Sequence, residues 1–158
     1  MRYAMPVEAA FPQLGPVGFR PFRPRAAAFE AQAVQARELG VSGPHVVFAH
    51  GAKSGSKRPG LGLLAALGTR LQARGLRVVL VGGGEEDHRL AEELRGLLPD
   101  AINLVNRCTL SESAAWICTA QALVGSDSGP AHIAGAAGIP TLVPFGPTQA
   151  WATRPWGP

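Results

Sequence analysis

Between His45 and Phe145, short apolar runs alternate with helix-like stretches, and this alternation limits the fold more narrowly than any other feature of the chain. The apolar runs are His45–Ala49, Arg77–Val81, Ile102–Val105, Ala122–Val124 and Thr141–Phe145. Each is too short to be anything but a strand or a fragment of one, and each is followed by glycine, proline or polar turn residues. The intervening stretches carry helix signals. Leu61–Arg74 is stopped by Gly75, and Glu86–Leu98 is stopped by Pro99. Thr109 and Glu112 form a T-x-x-E capping box that opens a helix to about Thr119. Small residues fill a helix over Ala131–Ala137, and a further helix over Ala26–Leu39 ends at Gly40. Strands joined through helices return to the same end of a sheet, so the expected fold is α/β: a Rossmann-like parallel sheet flanked by helices on both faces. Residues 1–25 contain Pro6, Pro12, Pro16, Pro21 and Pro24, which break any regular element. They read as a Pro/Arg-rich linker or tail, leaving 26–158 as one domain.

Ligands of such sheets bind beyond the carboxyl ends of the strands, where the strand order reverses. The chemically suggestive residues all fall at those ends. His50-Gly51-Ala52 follows the first strand, Gly82-Gly83-Gly84 the second, Gly125-Ser126-Asp127-Ser128-Gly129-Pro130-Ala131-His132 the fourth, and Gly146-Pro147-Thr148 the fifth. In the third of these, a strand end, a polar turn and a helix start meet. Free backbone N–H groups and the positive end of the helix dipole then point at one place, which suits an anion. Asp127 and Ser128 are also good N-caps for that helix, and capping and ligand contact can coexist. His132 sits on its first turn. Lys57 and Arg58 lie in a glycine-containing loop, where they read either as a cationic clamp for a diphosphate or as a solvated surface. The three glycines at 82–84 allow close approach of a ligand but also make an ordinary tight strand–helix turn, and they do not form a G-x-G-x-x-G fingerprint. Trp116 reads as core.

Several of these motifs together carry a family resemblance. The segment 125–148, GSDSGPAHIAGAAGIPTLVPFGPT, resembles the signature of glycosyltransferase family 9, the heptosyltransferases of lipopolysaccharide core synthesis. Ala49-His50-Gly51-Ala52 resembles the family's "HPGA", Ser56-Lys57-Arg58 its "KRW" with Pro59 in place of the tryptophan, and Val79–Gly83 its second strand and glycine turn. The resemblance covers residues 26–158 and implies the C-terminal, donor-binding half of an enzyme of the two-domain GT-B type. It implies Lys57, Asp127, Ser128 and Gly129 around the diphosphate and sugar of a nucleotide-sugar donor such as ADP-heptose; His132, from its place on the first helical turn, either faces the same pocket or is structural. A carboxylate repels phosphate, so Asp127 is expected to accept hydrogen bonds from sugar hydroxyls. Glu85 is expected on the nucleotide ribose, with Glu86 as the alternative. Gly51, Ser56, Arg58, Gly83 and Thr148 complete the expected set.

Inverting transfer needs a base to deprotonate the acceptor hydroxyl. The resemblance places that base, an aspartate, in an acceptor-binding half that precedes these residues in relatives, and relatives also continue past the position of Pro158. The implied function is therefore donor binding, with no catalytic base among these residues and little turnover by them alone. The lipopolysaccharide core or lipid A acceptor would be met through the other half. The alternatives are a stand-alone nucleotide-sugar binding module that needs a partner chain, and a GT-B enzyme like the nucleotide-sugar epimerases, which the run Ser126–Pro147 fits less well.

Charge and composition narrow the classes further. The net charge is +4, and the excess is uneven: residues 1–58 hold eight Lys/Arg against three Asp/Glu, residues 59–158 seven against eight. The basic end reads as a solvated surface or as a contact for phosphate or acidic lipid, which is compatible with peripheral membrane association. The basic residues are not interleaved with aromatics on one element, so no nucleic-acid partner is expected. No run approaches the about 18 apolar residues of a membrane span, residues 1–25 lack the apolar core of a signal peptide, and Cys108 and Cys118 have no metal-ligand or disulfide-rich spacing. The expectation is a cytoplasmic protein with no metal and no cofactor besides its substrate.

Overall fold

A computed structural model describes residues 21–146 and 148–156. Most of the 1–25 segment, and Pro147 of the Gly146-Pro147-Thr148 turn, lie outside these residues. In chain order the elements are α1 (Ala26–Glu38), β1 (His45–Ala49), a 3-10 turn (Gly55–Lys57), α2 (Leu61–Gln72), β2 (Arg77–Leu80), α3 (Glu85–Leu97), β3 (Ile102–Asn103), α4 (Leu110–Cys118), β4 (Ala122–Gly125), α5 (Gly129–Ala137), β5 (Thr141–Leu142) and α6 (Ala150–Thr153). All strand pairs are parallel, and the sheet order is β3-β2-β1-β4-β5. The order reverses between β1 and β4, so the switch point falls where His50–Ala52 and Ser126–Ser128 leave the sheet.

The central strands β1, β2 and β4 are buried on both faces, as a helix-covered parallel sheet requires, and the edge strands β3 and β5 are less so. Along β1 the alternation is visible residue by residue. Val46 and Phe48 join Leu64, Val78, Leu80 and Leu94 in a core beneath α2 and α3. Val47 and Ala49 join Val79, Val81, Trp116, Leu123 and Ala134 in a second core beneath α4 and α5. Trp116 is fully buried, as its sequence position suggests. Its indole N–H donates to Gln35 Oε1 of α1 at 2.8 Å, which also accepts from Cys108 Sγ at 3.2 Å. His45 Nε2 donates to Trp116 O (3.0 Å), and the ring stands edge-on to the indole. Burial lowers its pKa, against the opposing pull of that carbonyl.

Element ends follow local chemistry. α4 carries the full capping box, with Thr109 Oγ1 accepting from Glu112 N and the Glu112 carboxylate accepting from Thr109 N. α5 starts at Gly129, two residues before its expected start, because Pro130 fits the first helical turn. It ends at Gly138, whose φ of +77° only glycine adopts freely. Across the back of α5, Gly135 lies where an added Cβ would come within 2.8 Å of Pro155 and 3.0 Å of the Trp156 carbonyl. The last described residues therefore pack directly on this helix.

Candidate functional site

The switch point is built by close approach. Gly125 has no side chain because a Cβ there would collide with the Ala49 carbonyl across β1 and β4. Ser126 N then donates to Ala49 O at 3.0 Å, and Ser126 Oγ reaches both the Gly51 carbonyl and Ser128 Oγ. The two strand exits are thereby tied side by side, and Ser126 is fully buried. Sequence reading passed over Ser126; its place between a strand-ending glycine and the Asp-Ser pair was the available signal.

Two adjoining features occupy the carboxyl end of the sheet. The first is a cavity of about 590 Å³, within the usual range for a small-molecule site. Gly51, Arg58, Gly83, Glu85 and Ser128 all line it, with Ala49, Val81, Leu110 and Pro130 as apolar wall. The second is an ionic cluster beside it. Lys57 Nζ donates to Asp127 Oδ2 at 2.9 Å, and His132 Nε2 lies 3.8 Å from Asp127 Oδ1. The Asp127 side chain is only 4% exposed, while Lys57 retains 29% and His132 half of its surface. Burial pushes the Asp127 pKa upward, but hydrogen bonding to the Lys57 ammonium and to the Thr153 and Thr148 hydroxyls more than offsets this, so the carboxyl titrates below its ordinary value.

The expected site residues thus fall into two groups. Lys57, Asp127, His132 and Thr148 form the ionic cluster, and Ser128 and Gly129 at the start of α5 join it to the cavity. No side chain caps α5: Ser128 occupies the N-cap position, but its hydroxyl bonds to Ser126 instead. Pro130 has no N–H and Ala131 N already donates to Ser128 O at 3.1 Å, so at the start of α5 it is the Gly129 N–H that is left to a ligand or water. Ser56 contributes its backbone. Its carbonyl would lie 2.7 Å from a Cβ on Gly146, so the 3-10 turn packs on the loop after β5.

Arg58 sits on the cavity wall, but its guanidinium is already engaged. Nε and one terminal nitrogen donate to Ala52 O at 3.1 and 3.0 Å, and the other donates to Glu86 Oε1 at 2.8 Å. Glu86 also meets Arg89. The Arg89 hydrogen bond, with the charges of Arg89 and Arg58, holds the Glu86 carboxyl down to about pKa 2 against the opposing effect of desolvation. Glu86 is thus consumed by surface ion pairs, which leaves Glu85, the first residue of α3 and exposed at the cavity rim, as the freer of the two acids.

The glycine turn is braced by residues that sequence reading did not single out. Gly84 has φ +97° and caps α3. Its N–H donates to Asn106 Oδ1 at 2.8 Å, and its carbonyl accepts from Asn106 Nδ2 at 3.2 Å. Gly83 N donates to Asp87 Oδ2 at 3.1 Å. His50 is buried as a structural residue, with Nε2 2.9 Å from Asp87 O. Among the described residues, no group of three or more His, Cys, Asp or Glu side chains is placed to hold a metal, and no helix is long and apolar enough to cross a membrane.

The chain is a doubly wound α/β domain with a polar, partly cationic site at the switch point, the place where sheets of this kind take their ligands. The model of glycosyltransferase family 9 (heptosyltransferase) matches residues 21–158, and the chain belongs to that family. It is 37% identical over 91 residues to lipopolysaccharide heptosyltransferase 3 of Escherichia coli, covering 54% of this chain and 26% of that one. Its fold is similar to that of E. coli ADP-heptose lps heptosyltransferase II, with a TM-score of 0.74 and 24% identity over 86% of this chain and 42% of the other. The glycosyl transferase family 9 structure from Veillonella parvula gives a TM-score of 0.81 at 19% identity, over 94% of this chain and 45% of that one. The five-stranded parallel sheet matches these GT-B structures. The chain spans about a quarter of the curated relative, and under half of each solved structure.

Proposed function

We propose that these residues form the donor-binding half of an inverting glycosyltransferase, and that the donor is a nucleotide diphosphate sugar of the ADP-heptose type. The observation that carries this reading is the Lys57–Asp127 pair, flanked in sequence by Arg58 and Ser128, which line the cavity on the switch point, and by the start of α5, which no side chain caps. The nucleoside occupies the cavity, with Glu85 at the ribose. The diphosphate lies between Lys57 and the start of α5 at Ser128 and Gly129, and the sugar faces Asp127 and His132. In transfer, negative charge builds on the departing diphosphate. The lysine and the helix N-terminus are fixed where that charge develops, so they stabilise it without reorganising. Asp127 has two tasks in this scheme: it orients Lys57 through Oδ2 and leaves Oδ1 for a sugar hydroxyl.

The proton acceptor for the incoming hydroxyl, and the lipopolysaccharide acceptor itself, belong to an acceptor-binding half outside this sequence. These residues alone therefore bind donor and turn it over little or not at all. No metal or cofactor enters the scheme, because cationic side chains and backbone N–H groups provide the charge compensation. The setting in this reading is cytoplasmic, and the Lys/Arg surplus of residues 1–58 suits contact with an anionic membrane surface.

The test is a thermal-shift titration with ADP, ADP-heptose, UDP and GDP, run beside Lys57→Ala. Ligands that bind the folded state raise the melting temperature by mass action. Stabilisation by ADP or ADP-heptose that disappears in Lys57→Ala is the expected result. Absence of a shift with every nucleotide, or a shift that survives in the variant, refutes it.

A further inference from the structure

We propose that Asp87, held by His50, is a positioning residue of the donor site: it locks the exit of β1 to the glycine turn after β2 and so sets the floor of the cavity. This rests on the reading of the cavity as a nucleotide site. Three observations converge on Asp87. Its carboxylate folds back over the turn, so that Oδ2 accepts the Gly83 N–H at 3.1 Å. The same carboxylate fills the space that a side chain would need at Gly51, and a Cβ on Gly82 would stand 2.8 Å from Oδ2. Its backbone carbonyl accepts from His50 Nε2 at 2.9 Å. Gly51, Gly82, Gly83 and Asp87 all line the cavity.

The His50 ring reinforces this assignment. A carbonyl can only accept, so Nε2 carries the proton and Nδ1 is left as a bare acceptor. His50 is 1% exposed and its Nδ1 has no hydrogen-bond partner. A buried polar atom without a partner is costly. An apolar residue would pack at this position without that cost, so what the imidazole adds is the Nε2 hydrogen bond to the first turn of α3. The glycines at 51 and 82 are explained by the same contact: they make room for the carboxylate as well as for a ligand. Asp87 does not need to touch the ligand. It acts through the Gly83 amide and the separation of the two loops, and small misplacements of such loops are enough to weaken binding.

The experiment has two readouts on the 158-residue chain. In the ligand-free protein, amide hydrogen exchange at Gly83 and Gly84 accelerates in Asp87→Ala and in His50→Phe, but stays near wild type in Asp87→Asn, whose side-chain carbonyl still accepts from Gly83. In calorimetric titrations, Asp87→Ala weakens ADP and 2′-deoxy-ADP by the same factor, at least about tenfold, and Asp87→Asn restores most of the affinity for both. Exchange at Gly83 that is unchanged in Asp87→Ala overturns the proposal whether or not nucleotide binds. If Asp87→Ala does not fold, unchanged exchange in His50→Phe does the same. A loss in Asp87→Asn confined to ADP, with 2′-deoxy-ADP spared, also overturns it, because the carboxylate would then be a direct ribose ligand. Wild type that binds neither ADP nor the other nucleoside diphosphates refutes the nucleotide reading instead, and the exchange result then stands by itself.

Discussion

Replacing Lys57 with alanine removes the ammonium that lies 2.9 Å from Asp127 Oδ2. The carboxylate it leaves is 4% exposed, while the lysine is 29% exposed, so the pair is buried on one side only. Removing one partner of a fully buried pair costs about 3–5 kcal/mol, because the remaining charge is stranded. Water reaching the lysine end screens part of the interaction, which reduces the expected loss to about 1–3 kcal/mol. For a domain of this size that corresponds to a fall in melting temperature of about 3–9 °C. The pH dependence gives an independent check. The Asp127 pKa is lowered by folding, so its contribution is present above the ordinary value of 3.8 and is lost as pH falls through the depressed folded value. The gap between wild type and Lys57→Ala should therefore be full at pH 7 and close below about pH 4, near the ordinary aspartate pKa. Asp127→Asn in the Lys57→Ala background removes the stranded charge, and the double variant should recover part of the lost stability. Differential scanning calorimetry at pH 7 and below pH 4 on all four proteins measures each of these quantities. A Lys57→Ala melting temperature equal to wild type at pH 7 would refute the reasoning, since it would mean that Asp127 is neither buried nor dependent on the lysine.

Two further outcomes follow from groups away from the cluster. Gln35→Ala leaves the Trp116 indole N–H without its 2.8 Å acceptor in a fully buried setting; denaturant unfolding should show a loss of about 1–3 kcal/mol, and an unchanged midpoint would indicate that another acceptor is within reach. Glu86 should remain ionised down to about pH 2 in an NMR titration, because Arg89 and Arg58 both bond its carboxylate; titration at the ordinary glutamate value would show that these ion pairs do not persist in solution.

The sheet was legible from the sequence because each strand is an apolar run bounded by turn chemistry, and β1 spans His45–Ala49 as expected. Where runs and strands differ, a local hydrogen-bonding reason is visible. β5 stops at Leu142 instead of Phe145: it is an edge strand, and Pro144 has no N–H to extend the ladder. β3 stops at Asn103 because the Asn103 side chain accepts from Val105 N and turns the chain, ahead of Asn106 at φ +61°. α2 ends at Gln72 and not Arg74, giving way to a turn at Gly75 with φ +79°. The motifs found at the strand ends do converge on one edge of the sheet, because parallel strands place all their carboxyl ends together. The pairings across that edge were not legible. Lys57 and Asp127 are 70 residues apart, and nothing local to either announces the other. Asp87 was hidden for a different reason: three acids in a first helical turn, Glu85, Glu86 and Asp87, are all explained by the helix dipole, so the one that folds back onto the glycines does not stand out.

The absence of a side chain at Gly135 reaches further than packing. Pro155 and Trp156 rest on that bare stretch of α5, and the same short segment carries Thr153, whose hydroxyl helps hold the Asp127 carboxyl below its ordinary pKa. The helix whose N-terminus stands at the switch point thus also carries, at Gly135, the segment that contains Thr153. A methyl group added at position 135 lies outside the cavity, yet it would push on Pro155 and Trp156 and so disturb the segment that ends beside the site.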